Sequence, residues 1–212
     1  MKKDQTLGES LREQGVSRRS FLKFCAATAS MMALPPSMIP VIASTLEKAR
    51  RPSVIWLSFQ ECTGCTESIT RSSSATIEDL IFNAISLDYH HTLQAASGDA
   101  AEAAREAAME ENHGKYVLVV DGSIPTANPG YSTIAGISNV DMLKDTAAGA
   151  AAIVAVGSCA AFGGIPKANP NPTGAVSVSD LITDKPIINV PGCPPIPAVI
   201  TGVLVQFLTF GL

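Results

Sequence analysis

An α/β fold built on a doubly wound parallel sheet is predicted by three observations. Four short apolar runs rich in β-branched residues recur along residues 53–190. Helical patterns fall between them. Apolar residues make up 46% of the 212-residue chain against 16% charged, enough to cover a sheet on both faces.

The first strand is Ser53-Val-Ile-Trp-Leu-Ser-Phe59, bounded by Pro52 and a glycine-containing turn. Tyr116–Val120, Ala152–Val156 and Pro186–Val190 are the next three, and Ala84–His90 is a weaker candidate. Continuous apolar runs of this length read as strands buried on both faces. Between them, residues 75–83, 99–112, 139–150 and 177–182 carry helical patterns. Five strands in that rhythm predict a flavodoxin-like sheet. No charge occurs from Ile187 to Leu212. Pro191, Pro194, Pro195 and Pro197 keep its first half from being a regular helix, and the remainder is too short to span a bilayer. Ile196, Val199, Ile200, Val203, Leu204 and Phe207 recur at helical spacing, predicting one core-packed face.

Residues 1–43 read as an address rather than a domain. They hold six basic and three acidic side chains, which leaves nine basic and sixteen acidic, or −7, in residues 44–212. A body at −7 without a basic run is a poor polyanion binder, so nucleic acid is excluded as a partner. Ser17-Arg-Arg-Ser-Phe-Leu-Lys23 leads into an apolar stretch from Phe24 to Ile42, interrupted by Pro35, Pro36 and Pro40. Val41–Ala43 offers a small-residue exit. A basic lead, apolar middle and small exit make an export signal, and the arginine pair resembles the twin-arginine type, which a receptor reads. Cys25 would leave with it.

Four cysteines remain: Cys62, Cys65, Cys159 and Cys193. Cys62 and Cys65 follow the first strand within Glu61-Cys-Thr-Gly-Cys-Thr-Glu67. Cys159 follows the strand at 152–156 within Gly157-Ser-Cys-Ala-Ala-Phe-Gly-Gly164, and Cys193 follows the strand at 186–190 within Pro191-Gly-Cys-Pro-Pro195. All four are expected past the carboxyl ends of parallel strands, the edge where open α/β sheets bind ligands. Glycines beside each thiol let the backbone approach a cofactor and present N–H groups to sulfur. Two thiols precede or open candidate helices, where the dipole favours negative charge. Pro194 after Cys193 matches the Cys-Pro found beside iron–sulfur ligands. Disulfides are one alternative, although a Cys-x-x-Cys bridge stabilises little. Structural zinc is another, but only one Cys-x-x-Cys is present. An iron–sulfur cluster is the favoured reading.

Seven motifs in order resemble the small subunit of nickel–iron hydrogenases. They are Pro52–Leu57, Glu61–Ser68, Ile85–His90, Val119–Pro125, Gly157–Cys159, Asn171–Ala175 and Asn189–Pro195. The resemblance runs from about Arg51 to the end, so residues 51–212 are expected to form the flavodoxin-like domain. It implies that Cys62, Cys65, Cys159 and Cys193 hold a proximal 4Fe–4S cluster. This cluster would take electrons from hydrogen oxidation at a nickel–iron centre in a separate large subunit. A cytochrome b or other redox subunit would accept them, at the periplasm or the periplasmic face of the cell membrane. The chain would not be active alone, and a broad apolar face would make it aggregate without the large subunit. A six-cysteine variant of the family places its extra thiols where this chain has Gly64 and Gly164, so the standard, oxygen-sensitive type is implied.

Family members continue with ligands for medial 3Fe–4S and distal 4Fe–4S clusters. No cysteine follows Cys193 here, so those clusters are expected only if the chain continues beyond Leu212, and a truncated, non-catalytic remnant is the alternative reading. The cluster-binding subunit of respiratory complex I, a distant cousin, would place adjacent cysteines where this chain has Cys62-Thr-Gly-Cys65. Glu61 and Glu67 are expected as cap or ion-pair residues as readily as tuning groups. Asp121 is expected to cap the loop 122–125, His90 and His91 to be plain polar residues, and Trp56 to lie in the core or an interface.

Overall fold

The computed structural model describes residues 6–13, 15–48, 51–73, 76–81 and 85–210. Two compact units divide the chain. One comprises residues 1–52, 68–86 and 196–212, the other residues 53–67 and 87–195.

The larger unit is built on a five-stranded sheet. Its strands are β1 (Ser53–Ser58), β2 (Ser86–His90), β3 (Val117–Asp121), β7 (Ala152–Val156) and β9 (Ile187–Val190), in the order β2-β1-β3-β7-β9. The pairs β1–β3, β3–β7 and β7–β9 are all parallel. Numbered among themselves these strands run 2-1-3-4-5, the flavodoxin order, whose switch point lies between the first and third. The β-branched runs form strands because both faces are covered, and every residue of β3 and β7 is buried. Ile55, Leu57, Phe59, Leu118, Val120, Ile153 and Ala155 share one core cluster with Ala101, Ala108, Met142 and Leu143. Those last four come from α6 (Asp99–Glu111) and α7 (Asn139–Ala148). Ser138 starts α7 by accepting the Asp141 N–H at 3.1 Å, a side-chain N-cap.

Shorter elements complete this unit. The edge pieces are β4 (Ile124–Pro125) with β8 (Ala175–Val176), and the hairpin β5 (Thr133–Ile134) with β6 (Ile137–Ser138). The helix α4 (Gly64–Thr70) follows β1, and α8 (Gly157–Phe162) and α9 (Gly164–Lys167) follow β7. The helix expected over 177–182 is a 3-10 turn, Val178–Asp180. Of the helix expected over 75–83, α5 (Ile77–Asp79) is described, and it belongs to the smaller unit. Residues 75, 82 and 83 lie outside the described residues, as does Ala84 at the start of the weaker strand.

The smaller unit is helical: α1 (Leu7–Glu13), α2 (Arg18–Met31), a 3-10 turn (Pro36–Met38), α3 (Ile39–Lys48), the short α5 and α10 (Pro197–Phe210). The Ser17 hydroxyl caps α2 by accepting the Ser20 N–H at 3.1 Å. Pro40 is tolerated in the first turn of α3, where its missing N–H has no intrahelical partner. Leu11, Phe21, Cys25, Ala29, Ile42, Ala43 and Leu46 pack with Val205 of α10. The stretch expected to exit at Val41–Ala43 therefore lies inside a helix. The expected face of α10 requires correction. Ile196 and Val199 are 64% and 41% exposed, while Ile200, Thr201, Leu204 and Val205 are buried. Nearly every side chain there is apolar, so the repeat fits more than one face. Among the described residues no helix is long and apolar enough to cross a membrane.

Candidate thiolate site

Strand ends place all four cysteines. The chain leaves β1 into Cys62 and reaches Cys65 in the first turn of α4. Cys159 lies in α8 directly after β7, and Cys193 follows β9. Cys62 and Cys193 are exposed, Cys65 and Cys159 half-buried, and none is disulfide-bonded. The Ser158 N–H donates to Gly192 O at 2.7 Å, and the Gly192 N–H donates to Ser158 Oγ at 3.3 Å. These bonds tie the β7 loop to the β9 loop. The Cys193–Pro194 peptide is cis.

The thiols sense one another. Burial pushes Cys65 up to about 12, and Asp121, Cys159, Glu61 and Cys62 raise it further. Cys159 is also raised, first by burial, then by Cys193 and Cys62. Among the described residues, no three His, Cys, Asp or Glu side chains gather at the spacing of a single metal ion.

The glycines are a cradle a Cβ would fill. At Gly157 (φ +86) a Cβ would lie 2.5 Å from Cys65 Sγ, and at Gly164 (φ +59) 2.5 Å from Cys159 Sγ. At Gly64 it would meet Cys62 Sγ at 3.2 Å. Backbone thus runs against three of the four sulfurs. The donor set and this cradle fit an iron–sulfur cluster. Thr63, β-branched, sits at φ +66 between Cys62 and Gly64, a local strain of the kind that gathers at functional sites. Phe162 and Ile165, on either side of Gly163–Gly164, are exposed.

Glu61, beside Cys62, is pushed up to about 7 by burial and by Asp121, against the Thr63 hydroxyl donating at 3.2 Å. Asp121 does not act as the expected loop cap. Its Oδ2 instead accepts from Thr66 Oγ1 at 3.4 Å. Burial pushes this carboxyl up to about 6, against the hydrogen bond from Thr66. His90 packs its ring 5.0 Å from the Trp56 ring and meets Thr66 Oγ1 at 3.4 Å. His91 Nδ1 accepts the Ser58 N–H at 3.3 Å, and its Nε2 lies 2.9 Å from Tyr89 Oη. Sequence reasoning missed the link from Asp121 through Thr66 to His90, because no local spacing signals it.

Fold and site together define a flavodoxin-like domain with four cysteines at one sheet edge. A family model described as "NADH ubiquinone oxidoreductase, 20 Kd subunit" matches residues 62–207, and the chain belongs to this family. Curated relatives of the chain include hydrogenase small subunits. It is 45% identical to the Hydrogenase-2 small chain of Escherichia coli K12 over 98% of this chain and 55% of that protein. It is 48% identical to the uptake hydrogenase small subunit of Cupriavidus necator over 97% of this chain and 58% of that protein. The chain therefore spans little more than half the length of these relatives. Among solved structures, a chain of the recombinant NiFeSe hydrogenase of Desulfovibrio vulgaris Hildenborough superposes with a TM-score of 0.71. That match has 40% identity and covers 74% of this chain and 59% of that one.

Proposed function

We propose that this chain is the electron-transfer small subunit of a nickel–iron hydrogenase, holding a proximal 4Fe–4S cluster. The convergence of Cys62, Cys65, Cys159 and Cys193 from three loops onto one sheet edge carries this reading. The relatives' names support the hydrogenase assignment. When bound, the cluster supplies a carrier for single electrons. Each cysteine would hold one iron. Gly64, Gly157 and Gly164 leave room beside the sulfurs. Exposed Phe162 and Ile165 offer an apolar rim that a large subunit carrying the nickel–iron centre would cover, excluding water from the thiolates. Residues 1–43 would direct export by the twin-arginine route to the periplasm or the periplasmic membrane face, where a cytochrome b or similar redox subunit takes the electrons. Gly64 and Gly164 fit the standard four-cysteine type.

Iron and acid-labile sulfide per chain test the reading, on protein purified without oxygen together with its large subunit. About four of each from the ligands within these residues is expected, since four thiolates hold one cubane. A larger count means further clusters whose ligands lie outside these 212 residues. No iron, with zinc or a disulfide in its place, overturns the reading.

A further inference from the structure

A buried hydrogen-bond chain ends beside the thiolate site, and its direction can be read from its atoms. His90 Nδ1 accepts the Thr92 N–H at 3.1 Å, so the proton of the neutral ring is on Nε2. Burial, first, and the adjacent His91 lower His90 to about 4, which keeps the ring neutral. Nε2–H therefore donates to Thr66 Oγ1, and the Thr66 hydroxyl donates onward to Asp121 Oδ2, each at 3.4 Å. Asp121 is 0% exposed and is the terminal acceptor. Its other oxygen, Oδ1, is buried without a closed hydrogen bond, as are Ser58 Oγ and Trp56 Nε1 among the described residues. Ser58 is register-paired with Asp121 across β1 and β3.

The place of this carboxylate follows from strand order. β3 lies between β1 and β7. The ends of those two strands lead to Cys62 and Cys65 on one side and to Cys159 on the other. Asp121 closes the strand between them, and Thr66, its donor, directly follows Cys65. The strand that brings no thiol to this edge among β1, β3, β7 and β9 brings a buried carboxylate.

We propose that Asp121 is a positioning and charge-setting residue of the thiolate site. Through Thr66 it holds the segment that carries Cys65, and its fixed negative charge lowers the reduction potential of a cluster bound there. The proposal rests on the cluster reading above. A negative charge near a redox centre favours the oxidised state, and inside a protein its influence is screened far less than in water. The His90–Thr66 arm keeps that charge in one place rather than neutralising it.

The test is a redox titration followed by electron paramagnetic resonance at pH 8, on the full chain purified without oxygen with its large subunit. Iron content is measured first on every sample. Asp121→Asn keeps an acceptor for Thr66 and removes the charge. At equal iron loading, its reduced-to-oxidised ratio at a fixed potential is expected to rise about tenfold, which is ~59 mV for one electron. Asp121→Ser, a second neutral variant, carries the same expectation should Asp121→Asn load poorly. Asp121→Glu keeps the charge and is expected to stay near the wild-type potential. A merely structural Asp121 would alter iron loading and leave the potential of the loaded fraction unchanged. A wild-type potential in an iron-loaded neutral variant overturns the proposal and leaves the cluster reading standing. Wild-type protein without iron overturns the cluster reading itself.

Discussion

Gly157→Ala separates backbone strain from crowding at sulfur. Gly157 sits at φ +86, and a Cβ there would lie 2.5 Å from Cys65 Sγ and 3.7 Å from Gly192 O. An L-residue in this region costs about 1–2 kcal/mol. Ordinary contact needs about 3.5 Å, so the sulfur must also move by about 1 Å or the backbone must yield. Gly136 supplies the control. It sits at φ +79 with nothing within 4 Å of its Cβ position, so Gly136→Ala carries the strain without the clash. Gly136→Ala is expected to lose about 1–2 kcal/mol in urea, or ~2–8 °C in Tm, and Gly157→Ala at least that, since crowding adds to the strain. Only Gly157→Ala is expected to lose iron, because its displaced Cys65 no longer matches the other thiolates. The assay is iron and labile sulfide per chain beside the urea midpoint. A Gly157→Ala protein with wild-type iron refutes the cradle argument. Iron lost equally from Gly136→Ala would show that strain anywhere in the chain suffices.

Three further outcomes follow from other parts of the molecule. Arg105 is buried at 1% exposure, with Nε 3.1 Å from Glu102 Oε2 and Nη1 3.4 Å from Asp145 Oδ2 and 3.1 Å from Thr146 Oγ1. Glu102 is 17% exposed and Asp145 64%, so Arg105→Met strands one carboxylate more than the other and is expected to cost about 3 kcal/mol in urea. Asp180 Oδ2 accepts from Lys167 Nζ and from the Ser177 N–H, both at 2.8 Å, and these hold its carboxyl down to about 2. Its folded value lies below the unfolded one, so its stabilisation is full above about pH 4 and is lost as pH falls towards 2. For so exposed a pair the contribution is about 0.5–1 kcal/mol, and the cost of Asp180→Asn, read from urea midpoints at pH 7 and at pH 2.5, is expected to shrink at the lower pH. Cys25 is 0% exposed and burial pushes its thiol up to about 12. In cluster-free full chain iodoacetamide is expected to label exposed Cys62 and Cys193 well before Cys25, and equal rates would refute the helical packing of the first unit.

What could be read from the chain alone was what local sequence determines. Ala152–Val156 is legible to the residue, because a continuous β-branched run between turn signals has few other conformations. The four thiols fall at one edge because a parallel sheet sends every following loop to the same side. The face of α10 differs from the sequence expectation at Ile196 and Val199, because a helix apolar on all sides has no periodicity to choose between faces. The first forty residues read as an address from their composition. That reading says nothing of Cys25 packing with Phe21, Ile42 and Val205, a cluster that needs a helix from the far end of the chain.

Asp121 shows where the limit lies. Its position after an apolar strand suggested a loop cap, the role a carboxylate takes when its neighbours in sequence are its neighbours in space. Its actual partner sits on α4 and reaches it because β3 is inserted beside β1 while β2 takes the opposite flank. Strand order is set by which apolar faces pack together, and no single loop encodes it. The same insertion brings Asp121 between the thiol-bearing ends of β1 and β7. On the proposed reading, a cofactor spanning those ends would meet a buried carboxyl group whose presence no cysteine spacing could announce.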